Sequence, residues 1–536
     1  MKQISYHLRM TTNIEKFWPF PDKQIRVSQS KAFDWLEQNL DKKYLLCEVP
    51  VGAGKSNIGV TFSRYLSGKD GSSYILTPQR ILQEQYERSF DRSYLASLYG
   101  QSNYQCERGN KMTCDIGNVL KPRCFSCPHK IARQIAVGSP NTVLNYTLAL
   151  LSFTYTNTFA RRKLMVLDEC HTLESHLTEF SAVEISARRC ERYKIPFVRS
   201  QNIKDALEWI EVRYEPVLER AFKALETTVL EIQDSGHSPT PTEIAIIREF
   251  NGLAEHLETL QTISMSNIAY VQAKYVLVHD ANMIKFKPLT GADNFVSILN
   301  PMAEKFLFMS STILNYKAYC KDLGIDQNQT AFLSLGSEFP AENRPVYFLP
   351  TTKMNAAWNN PENEAGRTKL SKTLREIIEL HKEDSGIIHT GNFAIAKWLT
   401  EELKDITTHE IFHHNPGSKD NRNVVIKGFQ QSKKPSILIS PSITEGLDLV
   451  EDLARFAIFA KVPFGNLGDQ WIKARLDLSN EWYQRHAVIN IIQGGGRVVR
   501  SKDDWGEVYI LDSSWSYLLS QTVRSIPDWW LEAYHD

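Results

Sequence analysis

Two stretches of this chain gather residues whose types and spacing could do chemistry. In YLLCEVPVGAGKSNIGVTFSRYL (44–66) a lysine and a serine follow a glycine-rich turn. Backbone N–H groups exposed around Gly52 and Gly54 can close on phosphates. Lys55 can then reach the β- and γ-phosphates, and the Ser56 hydroxyl can bind Mg2+. The pattern G-x-x-x-x-G-K-[ST] calls for glycine where this chain has Val49, and Gly52 stands inside it instead. A glycine turn with an incidental lysine is the bland alternative. In CERGNKMTCDIGNVLKPRCFSCPHK (106–130), four of the eight cysteines, Cys106, Cys114, Cys124 and Cys127, fall at the spacing C-x7-C-x9-C-x2-C. Disulfides, zinc, an iron–sulfur cluster and coincidence are all open to such a set.

Hydrolysis at a phosphate-binding loop also needs a carboxylate at a second strand end, and RKLMVLDECHTLE (162–174) supplies two. Asp168 suits Mg2+, while Glu169 suits the orientation and deprotonation of an attacking water. His171 could couple that site to other elements. An acidic strand end alone is often a helix cap; beside the glycine loop it gains weight. Charge developing on a transferred phosphoryl group calls for arginines, and INIIQGGGRVVRS (489–501) holds Gln493, Arg497 and Arg500. A helix beginning near Gln493 would set these three on one face. A solvated helix start is the bland reading, and three adjacent glycines weigh against it.

These groups need strands and helices to hold them. Tyr44–Val49 and Leu164–Leu167 read as buried strands, and Ile58, Val60, Phe62 and Leu66 as the inner face of a helix. Residues 202–233 read as a long amphipathic helix with a kink at Pro216, and 242–263 as a second helix capped by Thr242, making a hairpin. Residues 273–289 alternate like strands and are expected to rejoin the first motor domain. At 536 residues the chain should divide into roughly three or four domains. Its 42% hydrophobic and 23% charged content is ordinary for a globular protein, and its formal net charge is zero, so no global field announces a polyanionic partner. No apolar run approaches the ~20 residues of a membrane span, and MKQISYHLRMTTNIEK lacks a signal-peptide core. Cytoplasmic residence is expected, or the host cytoplasm for a viral chain, and structural disulfides are rare there. Cys47, Cys170, Cys190 and Cys320 are scattered and read as core residues.

In this order the motifs resemble the iron–sulfur helicases of superfamily two, the XPD and DinG group. PVGAGKS is similar to the phosphate loop of helicase-type motors. FWPFPDKQIRVSQSKAF (17–33) resembles the family's opening motif, ILTPQRILQEQ (75–85) motif Ia, VLNYTLAL (143–150) the segment before the acidic box, and FMSSTIL (308–314) the serine–x–threonine motif. GSEFPAENRPV (336–346) is similar to the junction between motor domains, SGIIHTGNFAIAKWL (385–399) to motif IV and SPSITEGLDL (440–449) to motif V. KVPFGNLGD (461–469) and IPDWW (526–530) also fit.

The resemblance implies an α/β fold: two RecA-like motor domains, with an iron–sulfur domain and a helical arch inserted in the first. The expected limits are 1–100, 139–176 and 271–340 for motor domain 1, 101–138 for the iron–sulfur domain, 177–270 for the arch and 341–536 for motor domain 2. It implies a 5′–3′ ATP-dependent DNA helicase or translocase that uses ATP, Mg2+ and a [4Fe–4S] cluster. Lys55, Asp168, Glu169, Gln493, Arg497 and Arg500 would be catalytic. Gln29 would read adenine, and Gly52, Gly54, Lys55, Ser56, Gly446 and Asp448 would hold the nucleotide, with Glu445 in motif V. Mg2+ would sit on Ser56 and Asp168. Cys106, Cys114, Cys124 and Cys127 would hold the cluster in a structural role, with Arg108, Lys111, Lys121, Arg123, His129 and Lys130 on a face suited to phosphates. Tyr104 and Phe125 could stack on a base or lie in the core. The expected partners are single-stranded DNA and DNA duplex junctions, bound by a monomer away from membranes. A nuclease domain ahead of the motor is not expected, since the motifs begin by residue 17. The alternative is an RNA helicase, or a translocase that displaces proteins without strong unwinding.

Overall fold

The structure is a computed structural model and describes residues 12–68, 72–109, 112–120, 126–200, 202–355, 358, 363–404, 407–413, 419–441 and 451–536. From the N-terminus, β1 (Tyr44–Glu48), β2 (Ser73–Thr77), β3 (Leu95–Ser97), β4 (Asn141–Asn145) and β5 (Arg162–Asp168) enter one parallel sheet. Three strands then form a small antiparallel sheet of their own: β6 (Val183–Ser186), β7 (Tyr275–His279) and β8 (Met283–Pro288). The chain returns to the first sheet with β9 (Ala303–Ser310) and β10 (Thr330–Ser334), giving the order β10-β1-β9-β5-β2-β4-β3. A second parallel sheet holds β11 (Val346–Thr352), β12 (Gly386–His389), β13 (Glu410–His413), β14 (Ser436–Ser440), β15 (Phe456–Phe459), β16 (Glu507–Asp512) and β17 (Tyr534–His535), in the order β13-β14-β12-β15-β16-β11-β17.

Parallel sheets are covered on both faces, so their central strands read as unbroken apolar runs rather than alternations. Every residue of β1, β2, β12, β14 and β15 is buried accordingly. On one face of the first sheet Leu45, Ile75 and Val166 meet Ile58, Val60 and Phe62 of the helix Lys55–Ser67. On the other, Leu46, Leu76 and Leu167 meet Leu150, Leu173 and Leu177. The second sheet has its own two-sided core. In the first sheet the connecting turns that matter lie at the C-terminal strand ends, where parallel α/β sheets bind ligands; in the second, the turn 496–506 leads from a helix into the start of β16.

The inserted hairpin differs from expectation in three ways. Its first arm is not one helix: Ile203–Trp209 passes through a π-turn at Ile210–Tyr214 into Glu215–Ser235. Pro216 lies in the first turn of that last helix, where its missing N–H is tolerated. The second arm, Pro241–Ser264, is capped by Thr240 rather than Thr242. Pro241 takes the first helical position, and Thr240 with Glu243 closes a capping box. The segment 273–289 forms strands but pairs with β6 instead of rejoining the parallel sheet, because its alternating pattern suits a half-covered antiparallel sheet.

Gly386 opens β12 directly beneath the Phe456 ring, and a Cβ there would stand 2.4 Å from the ring carbons. Gly386→Ala is expected to destabilise the second motor half by about 1–3 kcal/mol through overpacking, seen as a lowered thermal midpoint. Gly138→Ala, where the added methyl meets nothing within 4 Å, should leave that midpoint unchanged.

Candidate functional site

The glycine loop joins β1 to the helix Lys55–Ser67. Gly52 and Gly54 both adopt positive φ, 78° and 81°, a region other residues rarely enter. A Cβ on Gly54 would stand 2.4 Å from Gln29 Nε2, and one on Gly52 would stand 2.3 Å from the Phe339 ring. Gln29 is buried and holds the loop from outside: its Nε2 donates to Ala53 O at 3.2 Å, and Arg26 N donates to its Oε1 at 3.0 Å. Arg26 Nη1 donates to Gly52 O. The loop's curvature is therefore fixed by a second segment as well as by its glycines.

Asp168 ends β5, and Glu169 takes a left-handed conformation (φ 48°) that turns its side chain back toward the loop. Lys55 Nζ lies 3.4 Å from Glu169 Oε1. The Tyr86 hydroxyl donates to Asp168 Oδ2 at 2.8 Å. Burial and the neighbouring Glu169 hold the Asp168 carboxyl above its ordinary value. Burial also acts to raise Glu169, but Lys55 and His171 outweigh it, so that carboxyl stays ionised well below the usual range. His171 Nδ1 lies 2.8 Å from Ser310 Oγ at the end of β9 and 3.4 Å from Glu169 Oε2.

The second sheet supplies the facing wall. Gln493 Nε2 donates to Ser311 Oγ at 2.9 Å and Thr312 Oγ1 at 2.7 Å, and lies 3.4 Å from His171 Nδ1. Arg497 and Arg500 stand on the same side. A cleft of about 840 Å3 separates Lys55, Ser56, Asp168 and Glu169 from Gln493, Arg497 and Arg500. These three do not share a helical face. The helix runs from Asn480 to Gly495, so Gln493 is near its end and both arginines lie in the turn beyond. Ser479 caps its start through Trp482 N, and the three glycines terminate it rather than begin it. The arginines reach the cleft because the chain turns there. Gly446, Asp448 and Glu445 lie outside the described residues.

Of the cysteine set, Cys106, Cys114 and Cys127 line one cavity of about 200 Å3, and Cys124 lies outside the described residues. Cys114 Sγ and Cys127 Sγ are 3.9 Å apart. A Cβ on Gly117 would come within 2.3 Å of Cys106 Sγ, so the glycine leaves that thiol its room. Burial, with Cys127 and Cys106 close by, pushes the Cys114 thiol up to about 11. Among the described residues no group of three or more His, Cys, Asp or Glu side chains is arranged to hold an ion. Cys106, Cys114 and Cys127 thus converge on one cavity. His129, expected on a basic face, is buried against Tyr104 at a centroid distance of 5.3 Å. Tyr104 is itself partly buried there, with its hydroxyl accepting from Tyr99 N. Lys111, Lys121, Arg123 and Phe125 lie outside the described residues. Cys47, Cys170, Cys190 and Cys320 are buried, as expected. No helix among the described residues is long and apolar enough to cross a membrane.

Two parallel sheets face each other across a phosphate-loop cleft, which defines a two-domain α/β architecture with its candidate site between the sheets. Residues 22–199 match the family described as type III restriction enzyme, res subunit, and residues 377–533 the helicase C-terminal domain. The ATP-dependent DNA helicase DinG of Photobacterium profundum is 27% identical over 246 residues, which cover 43% of this chain and 34% of that protein. The ATP-dependent DNA helicase YoaA of Haemophilus influenzae is 23% identical over 327 residues, 57% of this chain and 48% of that one. The chain thus spans about a third to a half of the length of the curated relatives it matches. Among solved structures, S. tokodaii Xpd4 superposes with a TM-score of 0.56 at 14% identity, covering 92% of this chain and 97% of that one. An XPD helicase gives 0.58 at 12% identity over 94% and 99%. Such likeness is one of fold. Two family models thus match one stretch in each half of the chain, its curated relatives include DNA helicases, and its fold is that of the XPD structures.

Three residues of the site have no part in the sequence reading. Tyr86 and Arg26 carry no motif signal of their own. Glu48 does carry one, as a carboxylate ending an apolar strand that faces no water. Its Oε1 accepts from Ile313 N (2.7 Å) and Leu314 N (2.8 Å), and its Oε2 from the Ser334 hydroxyl (2.7 Å). Burial raises its carboxyl above the ordinary value in spite of those donors. It thereby holds the turn after Ser310, Ser311 and Thr312. Glu48→Ala strands two buried N–H groups and is expected to cost about 3 kcal/mol. Glu48→Gln, which keeps an acceptor, should cost roughly a third of that. Calorimetric unfolding of the two variants checks the order.

Proposed function

We propose that the chain is an ATP-dependent DNA helicase or translocase that moves 5′ to 3′ on single-stranded DNA, as a monomer, and opens DNA duplex junctions. The single observation that carries this reading is the cleft in which Lys55 and the Asp168–Glu169 pair of one sheet face Gln493, Arg497 and Arg500 of the other. ATP held there contacts both halves, so binding and hydrolysis change their mutual fit, and alternating grip on a phosphodiester backbone becomes movement along it. Grip of that kind is largely independent of sequence.

In the proposed chemistry, backbone N–H groups at Gly52–Gly54 and the Lys55 ammonium take the β- and γ-phosphates. Mg2+, when bound by Ser56 and Asp168, offsets charge on the same oxygens. Glu169 orients a water and accepts its proton as the water oxygen bonds to the γ-phosphorus and the bond to ADP breaks. Arg497 and Arg500 stabilise the charge on the transferring group. His171, between Glu169, Ser310 and Gln493, relays the state of the cleft to the turn after β9. Gln29 reads adenine while bracing the loop, and Gly446 and Asp448 complete the second half's nucleotide contacts. The proposed limits of the motor halves, the cluster domain (101–138) and the arch (177–270) follow the resemblance. The hairpin has a core of its own with β6–β8, which carries it past residue 270 into 275–288.

Cys106, Cys114, Cys124 and Cys127 are proposed to hold a [4Fe–4S] cluster whose role is to fold the small module around it. The common cavity of the three described thiols supports this.

Several experiments test the reading. Lys55→Ala and Glu169→Gln should each lower ATP hydrolysis by about 10²–10⁴-fold, with nucleotide binding kept in the second variant. ATPase rate should rise with single-stranded DNA more than with RNA, and a 5′-tailed DNA duplex should be unwound; stronger stimulation by RNA would favour the RNA-helicase alternative. Protein purified without oxygen should be brown, with a broad visible band and about four irons per chain. Cys124→Ser should remove iron and unwinding together while basal hydrolysis persists. A colourless protein with one zinc, or full unwinding without metal, would overturn the cluster.

A further inference from the structure

Away from the nucleotide cleft, the two motor halves meet again through a buried set of charges. Glu174 lies on the helix Leu173–Phe180, five residues after Glu169. Its Oε1 accepts from Arg475 Nη2 at 2.8 Å and its Oε2 from the Trp482 indole Nε1–H at 2.9 Å. Asp322, at the end of the helix Tyr316–Asp322, takes Arg475 Nη2 at 3.1 Å on one oxygen and Arg485 Nη2 on the other. The Arg475 guanidinium also lies over the Trp482 ring, 4.6 Å from its centroid. Arg475 is fully buried, and Glu174 and Arg485 nearly so. Two carboxylates from the first half thus balance two guanidiniums from the second.

The ends of the helix Asn480–Gly495 are held in unlike ways. Trp482 and Arg485, near its start, belong to the buried charge set. Gln493, roughly 16 Å further along at 1.5 Å per residue, makes neutral hydrogen bonds at the rim of the cleft. Buried charges cannot be parted without leaving ions unpaired in a low-dielectric interior, whereas a carboxamide exchanges hydroxyl partners for water at little net loss. The preceding helix Gln470–Leu478 is anchored on the small sheet as well: Trp471 Nε1 donates to Pro288 O at 2.7 Å, and Lys287 lies 4.2 Å from the Trp471 ring centroid.

We propose that Glu174, Asp322, Arg475, Arg485 and Trp482 are positioning residues that form a fixed joint between the motor halves. The start of the helix Asn480–Gly495 stays on the first half, while its far end, with Gln493 and the two arginines beyond, swings as nucleotide enters and leaves. Opening is then a rotation about this joint and not a separation. The helix Leu173–Phe180 links the joint directly to the acidic turn, and Tyr319, on the helix that bears Asp322, donates to Cys170 O at 2.8 Å. The joint's part in coupling rests on the motor reading above; its mechanical role does not.

The test places fluorescent dyes on non-natural side chains at the exposed positions Lys31 and Lys372, leaving the native cysteines alone, and measures the separation with and without ADP–beryllium fluoride. Glu174→Gln, Asp322→Asn and Trp482→Phe are compared with the unsubstituted chain; Trp482→Phe removes the indole donor while keeping an aromatic ring beside Arg475, and guards against misfolding. The unsubstituted chain should show one narrow separation that shifts with nucleotide. The variants should show a distribution at least twofold broader without nucleotide and several-fold more ATP hydrolysed per base pair opened, with the thermal midpoint lowered in Glu174→Gln and Asp322→Asn, which each strand a buried guanidinium, and nearer the original in Trp482→Phe. Distributions as narrow as the original, or hydrolysis and unwinding lost in equal proportion, would overturn the joint. If the unsubstituted chain opens no duplex, the motor reading fails and the dye separations still decide for or against the joint.

Discussion

The contact between Lys55 and Glu169 sets the terms for the rest of the molecule. The group that would bind phosphate and the group that would accept the water's proton stand 3.4 Å apart, and the lysine holds the carboxylate ionised. A carboxylate kept so low is a weak base. In the proposed chemistry the phosphates take over Lys55, and Glu169 becomes more basic as its cation is drawn away. The site is thus ordered to act after the nucleotide arrives. This requires the glycine loop and the acidic turn to keep their spacing in either state, which accounts for the amount of structure spent on both. Arg26 and Gln29 brace the loop, and Tyr86 and His171 brace the turn.

Given a rigid first wall, motion has to come from the second, and contact energies indicate where. Gln493 reaches Ser311 and Thr312 through neutral bonds worth a net of about 1 kcal/mol each. Removing one partner from a buried ion pair costs roughly 3–5 kcal/mol. The charges around Arg475 therefore hold through a cycle in which the Gln493 contacts are remade. Glu48 plays the matching part inside the first half: it fixes the turn that Gln493 touches, so that a change in the glutamine's contacts is felt at a stationary surface.

The geometry of the cleft is legible because it is built from particular residue types at short spacing. Gly52, Gly54, Lys55 and Ser56 follow one strand, and Asp168 and Glu169 end another; both strands announce themselves as apolar runs. Gln493, Arg497 and Arg500 were also identifiable, yet their local structure was read in reverse. Glycines mark a helix end as readily as a close approach, and the capping Ser479 lies too far upstream for the motif itself to reveal direction. Thr240 caps the second arm in place of Thr242 because Pro241 takes the first helical position, one residue before the apolar pattern makes the helix visible. Long-range partners left less trace. Nothing near Glu174 or Asp322 in sequence indicates Arg475 or Arg485.

The cysteine module and the hairpin illustrate a dependence that neither segment shows alone. Cys106, Met112, Cys114, Ile116 and Leu120 share one apolar cluster with Val229, Ile232 and Ile247 of the two hairpin arms. A module this short cannot bury enough surface to be stable by itself, and a long two-helix hairpin loses its ends to fraying unless something covers them. Gln233 Nε2 donates to Val119 O at 2.6 Å, adding a directed contact to the apolar one. Each segment supplies the wall the other lacks. A centre bound by the thiols would then act on the hairpin as well as on its own module, because the face that meets Val229 and Ile247 is built from residues that alternate with the ligands.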